Sequence, residues 1–444
     1  MKKIIMSLVI VLLGVNTSIA NSNDSSSTYQ NIVNKYVSKD SPGVAVIITQ
    51  NDKVIFKGSQ GVANLEHNIA ITSKTVFRLG SITKQFTGAA IMMLQEQKKL
   101  NVKDNIAKYV PSFPTEGNIV TIENLLTHTS GIANYTDDVK LMMLEIQMPT
   151  SLDDMLVRFS KHPMVFKTGD EMRYSNTGYV LLGKIIEVAS GQKYADFIEQ
   201  NIFKPLGMNN SSYEGHAIVK NRAAGYSKNE NGIVNADYLD MIWPHAAGSL
   251  ISTVSDLNLW YKALRSGALI SKESYQQMLK PFKLNDGSMS NYGYGIGMRQ
   301  FNNYNAFAHS GGIHGFNTDA MYFPEQDIYI AVFSNSEFIR AQTISTHIAA
   351  QALKVDIPDF NAVALNEGVA KQLVGTYQID KSSSRVLSLE EGKLFTQRDG
   401  GDKLEVFPMS DNSFYYPQSL TYFTINTNNK GQQIMNMYYA LEST

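Results

Sequence analysis

Gly80-Ser81-Ile82-Thr83-Lys84 opens a long apolar stretch and sets a hydroxyl and an amine three residues apart. On a helix those two side chains are neighbours. From Gly80 to Leu100, residues Ile82, Phe86, Ala89, Ala90 and Met93 recur at helical spacing while Ile91, Met92 and Leu94 fill in the rest, which predicts a helix buried nearly all round. A lysine at the buried start of such a helix loses hydration, so its pKa falls and it becomes a proton acceptor for a serine one turn away. The demand is large. An ordinary lysine, pKa about 10.4, is neutral in roughly one molecule in 10³ at pH 7, so a working base needs a pKa about 3 lower, or roughly 4 kcal/mol.

The chain carries its own control for this spacing. Ser190-Gly191-Gln192-Lys193 matches it too, but follows the apolar run Tyr179 to Ala189 and contains Gly191, a helix C-terminal signal. That copy reads as punctuation.

Composition limits the answer. The 444 residues are 43% hydrophobic, enough for a large core and more than one domain. The 39 basic and 40 acidic residues leave no basic surplus, which argues against a nucleic-acid partner. Lys2 and Lys3, the apolar run Ile4 to Val15 and the small residues Ser18-Ile19-Ala20 read as an export leader spanning residues 1–20. With no cysteine in the chain, disulfides, thiol catalysis and thiolate zinc sites are excluded. A periplasmic or secreted protein of this kind depends on its core for stability.

After a polar, serine-rich lead at Asn21 to Thr28, expected to lack fixed structure, Val44 to Thr49 and Val54 to Lys57 read as an antiparallel hairpin at a sheet edge. The Ser81 helix follows, then a largely helical middle from Thr121 to Leu206, then strand-like segments from Tyr292 to Ser334. This order predicts a mixed α/β (α+β) domain over 21–355, its one sheet completed by both ends of the domain and its middle a helical subdomain. Residues 356–370 read as a linker, and 371–444, with runs such as Val374 to Ile379, Lys393 to Thr396 and Leu420 to Ile425, as a small all-β domain.

Two further groups carry chemistry. Tyr174-Ser175-Asn176 sits on a loop at a helix start, where Asn176 is also a good N-cap residue and Tyr174 a good core residue. His309-Ser310-Gly311-Gly312 ends a strand-like run, and its glycines let a substrate approach the backbone closely.

Ser-x-x-Lys, Tyr-x-Asn and His-x-Gly, in that order, resemble the penicillin-recognising serine hydrolases, the group of class C β-lactamases, D-alanyl-D-alanine carboxypeptidases, D-aminopeptidases and related esterases. Phe77-Arg78-Leu79-Gly80, Leu125-Leu126-Thr127-His128-Thr129-Ser130-Gly131, Pro205-Leu206-Gly207-Met208 and Gly248-Ser249-Leu250-Ile251-Ser252-Thr253 resemble the same group. The resemblance implies a β-lactamase/DD-peptidase-like antiparallel sheet flanked by helices. It also implies acyl transfer in which Ser81 attacks a carbonyl and Lys84 and Tyr174 move its proton. The backbone N–H groups of Ser81 and Gly312 would form the oxyanion hole, Asn176 would hold substrate and Lys84, and His309 and Gly311 would contact substrate. Neither a metal nor an organic cofactor is implied. Small-molecule or peptide substrates are, peptidoglycan-derived ones among them, and the oligomeric state is left open.

Position 309 departs from the best-known pattern, in which lysine helps bind a substrate carboxylate. Histidine, pKa near 6.5, is mostly neutral at pH 7, which favours peptidase, amidase or esterase activity over β-lactam hydrolysis. Appended β domains on similar peptidases shape the cleft, and the same is expected of residues 371–444. Three alternatives compete: a β-lactamase or a non-hydrolytic penicillin-binding protein, an α/β-hydrolase with Ser310 as nucleophile, His347 as base and Asp319 or Asp327 orienting it, and a metal site of His128, His309 and His314. The second needs a helix directly after Ser310, and Ile313 to Phe316 does not read as one. The third matches no compact metal-ligand spacing.

Overall fold

The computed structural model describes residues 22–358, 360–379, 383–417 and 419–439, so the leader expected at 1–20 lies outside the described residues. The hairpin is present as β1 (Val44–Gln50) and β2 (Lys53–Gln60), turning through Asn51 and Asp52, both at positive φ. The chain returns to it much later with β3 (Gly297–Phe301), β4 (Tyr304–Ile313), β5 (Phe316–Phe323) and β6 (Ile328–Ser334). The sheet order is β3-β4-β5-β6-β1-β2, antiparallel throughout, with β1 pairing on β6. Both ends of the domain therefore build one sheet, and β2 is its edge.

Alternation along the strands feeds two cores. Ala45, Ile47, Ala331 and Phe333 face the helices α2 (Thr83–Glu96), α3 (Asn176–Ser190) and α4 (Val254–Ser266). Val44, Val46, Ile48, Ile330 and Val332 face the other way, toward α1 (Ser22–Tyr36) and α5 (Ala341–Leu353). Helix α2 is buried along almost its whole length, and Phe86 stacks on Trp260 of α4 with ring centroids 3.9 Å apart. A helix this deep brings its first turn, and with it Ser81 and Lys84, to the junction of sheet and helical subdomain.

Two expectations are corrected. The serine-rich lead is helical from Ser22, because Tyr29, Ile32, Val33 and Val37 lie at helical spacing and bury against the sheet. Tertiary burial outweighs the weak helix propensity of serine. The C-terminal unit begins with α6 (Glu367–Leu373), inside the expected linker, and continues as a meander of seven antiparallel strands: β7 (Gly375–Gln378), β8 (Ser384–Glu390), β9 (Lys393–Arg398), β10 (Lys403–Ser410), β11 (Ser413–Tyr415), β12 (Thr421–Thr427) and β13 (Gln433–Tyr439). It has a core of its own around Leu387, Leu394, Phe414 and Phe423. Its Leu420 joins the core under α1 and α5, on the sheet face opposite α2, and none of its described residues lines the cavity described below. No helix among the described residues is long and apolar enough to cross a membrane.

Candidate active site

Ser81 lies in a short 3₁₀ turn, Gly80–Ile82, that runs directly into α2. Lys84 is fully buried one turn on, with Nζ 3.0 Å from Ser81 Oγ, 2.8 Å from Asn176 Oδ1 and 2.9 Å from the Ala247 carbonyl oxygen. Burial holds the Lys84 pKa well below its ordinary value. The partners fit a neutral amine. Two of them, the Asn176 and Ala247 oxygens, only accept, so the two N–H groups of a neutral amine are directed to them and the lone pair is left for the Ser81 hydroxyl.

Asn176 is free for this because Ser175 caps α3 instead, its Oγ accepting from Gly178 N at 3.3 Å. The Asn176 backbone N–H donates to Asn134 Oδ1 and its side-chain amide to Thr136 Oγ1, which fixes the amide oxygen toward Lys84. Tyr174 brings its ring centroid to 4.7 Å from Lys84 Nζ. Its hydroxyl is buried, and that burial pushes its pKa up, opposed by its interaction with the Ser81 hydroxyl. His128, at φ 59, holds this loop on both sides of Tyr174. Its carbonyl accepts from Arg173 N at 2.9 Å, its Nδ1 accepts from Ser175 N at 3.1 Å, and its ring lies 4.2 Å from the Tyr174 ring.

The His309 motif divides. Gly312 faces open space in the cleft, and a Cβ on Gly80 would lie 3.1 Å from Gly312 N, so the two backbones pass side by side next to Ser81. Gly311 packs inward: a Cβ there would meet the Leu79 carbonyl oxygen at 2.0 Å, which only glycine avoids. Neither His309 nor Gly311 lines the cavity above Ser81. The His309 ring is buried between the Ser310 carbonyl, to which Nδ1–H donates at 2.6 Å, and the Tyr292 hydroxyl, which donates to Nε2 at 2.7 Å. Burial, with Lys84 nearby, pushes the His309 pKa down to about 3, so the ring is neutral.

The nucleophile-elbow alternative fails on geometry. Ser310 lies within β4 and pairs with Asp319 of β5, on the sheet face turned toward α5. Asp319 is engaged by Arg299 and Ser345, and His347 by the Tyr36 hydroxyl at 2.9 Å.

A cavity of about 350 Å³ opens above Ser81, with Asn176, Ala247 and Gly312 on its walls. The helical subdomain supplies an apolar wall, including Tyr135, Met142 and Ile146, and the β4–β5 turn supplies His314 and Phe316, with Glu337 beside it. Sequence reasoning missed the Ala247 carbonyl, the Asn134 and Thr136 supports, Tyr292 and Glu337. It had no local signal for them, whereas His128 stood within a quoted motif. Among the described residues no group of three or more histidine and acidic side chains is placed to hold a metal, and His128 is committed to Ser175.

The Beta-lactamase family model matches residues 29–353 of this chain. Penicillin-binding protein 4* of Bacillus subtilis (strain 168) is 28% identical over 396 residues, which cover 83% of this chain and 87% of that protein. Among solved structures, the octameric penicillin-binding protein homologue from Pyrococcus abyssi superposes with a TM-score of 0.70 at 27% identity, covering 94% of this chain and 96% of its own. A D-stereospecific amidohydrolase from Streptomyces sp. does so with a TM-score of 0.64 at 25% identity, over 73% of this chain and 98% of its own. The chain belongs to the Beta-lactamase family.

Proposed function

We propose that this protein is a serine hydrolase that forms an acyl-enzyme on Ser81 and acts on an amide, D-amino-acid peptide or ester. The observation that carries this reading is the buried Lys84 amine, 3.0 Å from the Ser81 hydroxyl with its other two partners already oxygen acceptors. In the first step Ser81 Oγ bonds to the substrate carbonyl carbon as Lys84 Nζ takes its proton. The N–H of Ser81, in the first turn of its helix, and that of Gly312 are the donors available to the developing oxyanion, each worth roughly 3 to 4 kcal/mol in comparable sites. Tyr174, whose neutral hydroxyl interacts with that of Ser81, relays that proton to the departing amine or alcohol. Water then attacks the ester carbonyl, and the reverse proton path returns Ser81 to its hydroxyl form.

The neutral, withdrawn His309 supports amidase or esterase activity over β-lactam hydrolysis, because it offers no cation to a substrate carboxylate. Similarity to the Streptomyces amidohydrolase points the same way. Export is part of the proposal and rests on Lys2, Lys3 and the apolar run after them.

A fluorophosphonate tests the central step. One adduct per chain, lost in Ser81→Ala and kept in Ser310→Ala, supports it; an adduct that survives Ser81→Ala overturns it. Turnover of a panel of D-amino-acid amides, acyl-D-Ala-D-Ala peptides, p-nitrophenyl esters and a cephalosporin then separates a hydrolase from a protein that acylates without release.

A further inference from the structure

The charge lining the reactive cavity is one-sided. Among the described residues that line it no lysine or arginine occurs, and the one carboxylate is Glu337. Outside the lining, the Arg78 guanidinium lies 5.7 Å from the ring centroid of Phe316, which does line it, and is held in two hydrogen bonds to Glu214, with a third to the His314 carbonyl. His314 lines the cavity with Glu337, and burial, joined by the nearby Arg78 charge and outweighing the opposing pull of Glu337 and Asp237, lowers its pKa, so it adds no positive charge at neutral pH. Glu337 is exposed, so it attracts a cation with the modest strength of a partly screened pair, whereas a substrate carboxylate brought to the same place meets repulsion.

Glu337 is held in place. Its Oε1 accepts from Gly315 N at 2.8 Å and its Oε2 from Ser227 Oγ at 2.7 Å, which leaves each oxygen a further lone pair. No lysine, arginine or histidine forms an ion pair with it among the described residues. The adjoining walls at Met142, Ile146, Leu239 and Phe316 are apolar, so the space suits an apolar side chain next to the charged group.

We propose that Glu337 selects substrates that carry a protonated amine, so that the preferred acyl donor is an amide or ester of an amino acid with a free amino group and an apolar side chain. This inference rests on the acyl-enzyme reading of Ser81. It gives the cavity two fixed points, the nucleophile and a carboxylate, between which substrate is oriented.

Matched substrates test it: phenylalanine p-nitroanilide in both enantiomers, its deaminated analogue 3-phenylpropionyl p-nitroanilide, and the N-succinyl derivative, which exchanges the amine for a carboxylate. The free-amine substrate is expected to exceed the deaminated one in kcat/KM by roughly tenfold, and the succinyl one by more. Glu337→Gln keeps an acceptor for Gly315 N and a group that bonds Ser227, and should shrink the amine-to-deaminated ratio about twofold to fivefold through KM, the scale of an exposed ion pair. Glu337→Lys should reverse the order of the amine and succinyl substrates. Equal loss on all three substrates in Glu337→Gln would show that the residue only staples the β4–β5 turn, and a wild-type enzyme indifferent to the amine would also overturn the inference. Fluorophosphonate labelling of Ser81 in the same samples keeps this outcome distinct from failure of the acyl-enzyme reading.

Discussion

Ser81 to Lys84 and Ser190 to Lys193 share one spacing, and the fold treats them in opposite ways. The first pair stands where a helix begins and the chain dives into the core; Lys84 is fully buried and meets three oxygens. The second stands where α3 ends. Gly191 turns the chain through φ 75, Ser190 bonds the backbone of Gln192, and Lys193 extends into solvent with 80% of its side chain exposed. Spacing alone therefore does not even bring the two side chains together. Burial of the amine, together with acceptors for its two protons, decides whether the pair has chemistry.

The strongest way to break this contrast is to change both pairs in parallel. Ser81→Ala is expected to abolish the covalent adduct and cut hydrolysis by about 10³-fold or more, and Lys84→Met by about 10²- to 10⁴-fold. Stability adds a second readout for Lys84. Its pKa is lowered in the folded state, so below 10.5 the unfolded chain binds the proton that the native one rejects. Wild-type stability should therefore rise relative to Lys84→Met as pH increases toward 10.5, in denaturation midpoints compared at each pH. A difference independent of pH would mean that Lys84 is charged in the native state.

Asn176→Asp tests whether neutrality of the amine is what matters. A carboxylate 2.8 Å from Nζ would favour the ammonium form and raise the Lys84 pKa. Acylation at pH 7 should fall about tenfold or more, and the acid limb of its rate profile should move to higher pH; an unmoved limb would assign that limb to another group. His128→Ala acts one step further out, on the loop around Tyr174. The variant leaves the Ser175 N–H without its acceptor and removes the ring 4.2 Å from Tyr174. It is expected to lower kcat about tenfold with little change in KM, and His128→Gln to recover part of the loss by restoring an acceptor. Equal loss in both variants would point to a packing role alone.

The unequal legibility of the site follows from the range of its contacts. The buried helix and the Val44 hairpin declare themselves in residues that repeat over a few positions, and so did the split of one sheet between the two ends of the domain. Ser81, Lys84, Tyr174 and Asn176 stand in short motifs at element starts, where local pattern and chemistry coincide. The surroundings of His309 were not legible, because they are set by Tyr292, which approaches from the loop before β3 and hydrogen-bonds its ring. Nothing near position 309 encodes that. Glu337 and the Ala247 carbonyl are equally silent, one a surface-type residue after β6 and the other a backbone atom of an apolar segment. Helix α1 was missed for the related reason that its stability comes from the sheet against which Tyr29 and Val33 pack.

The smallest expected effect sharpens the contrast from the other side. Gly191 closes α3 in the left-handed region, with nothing within 4 Å of where a Cβ would lie. Gly191→Ala meets no clash and pays only the backbone strain, about 1 kcal/mol of stability, while hydrolysis by the folded protein stays unchanged. Lys193→Met, at an exposed position, should alter neither. If Gly191→Ala did slow acylation, the end of α3 would be coupled to Asn176 at its start, and the second Ser-x-x-Lys would act on the site through the helix that separates them. If it does not, the two copies are independent, and the chemistry of the first belongs to its buried surroundings rather than to its sequence.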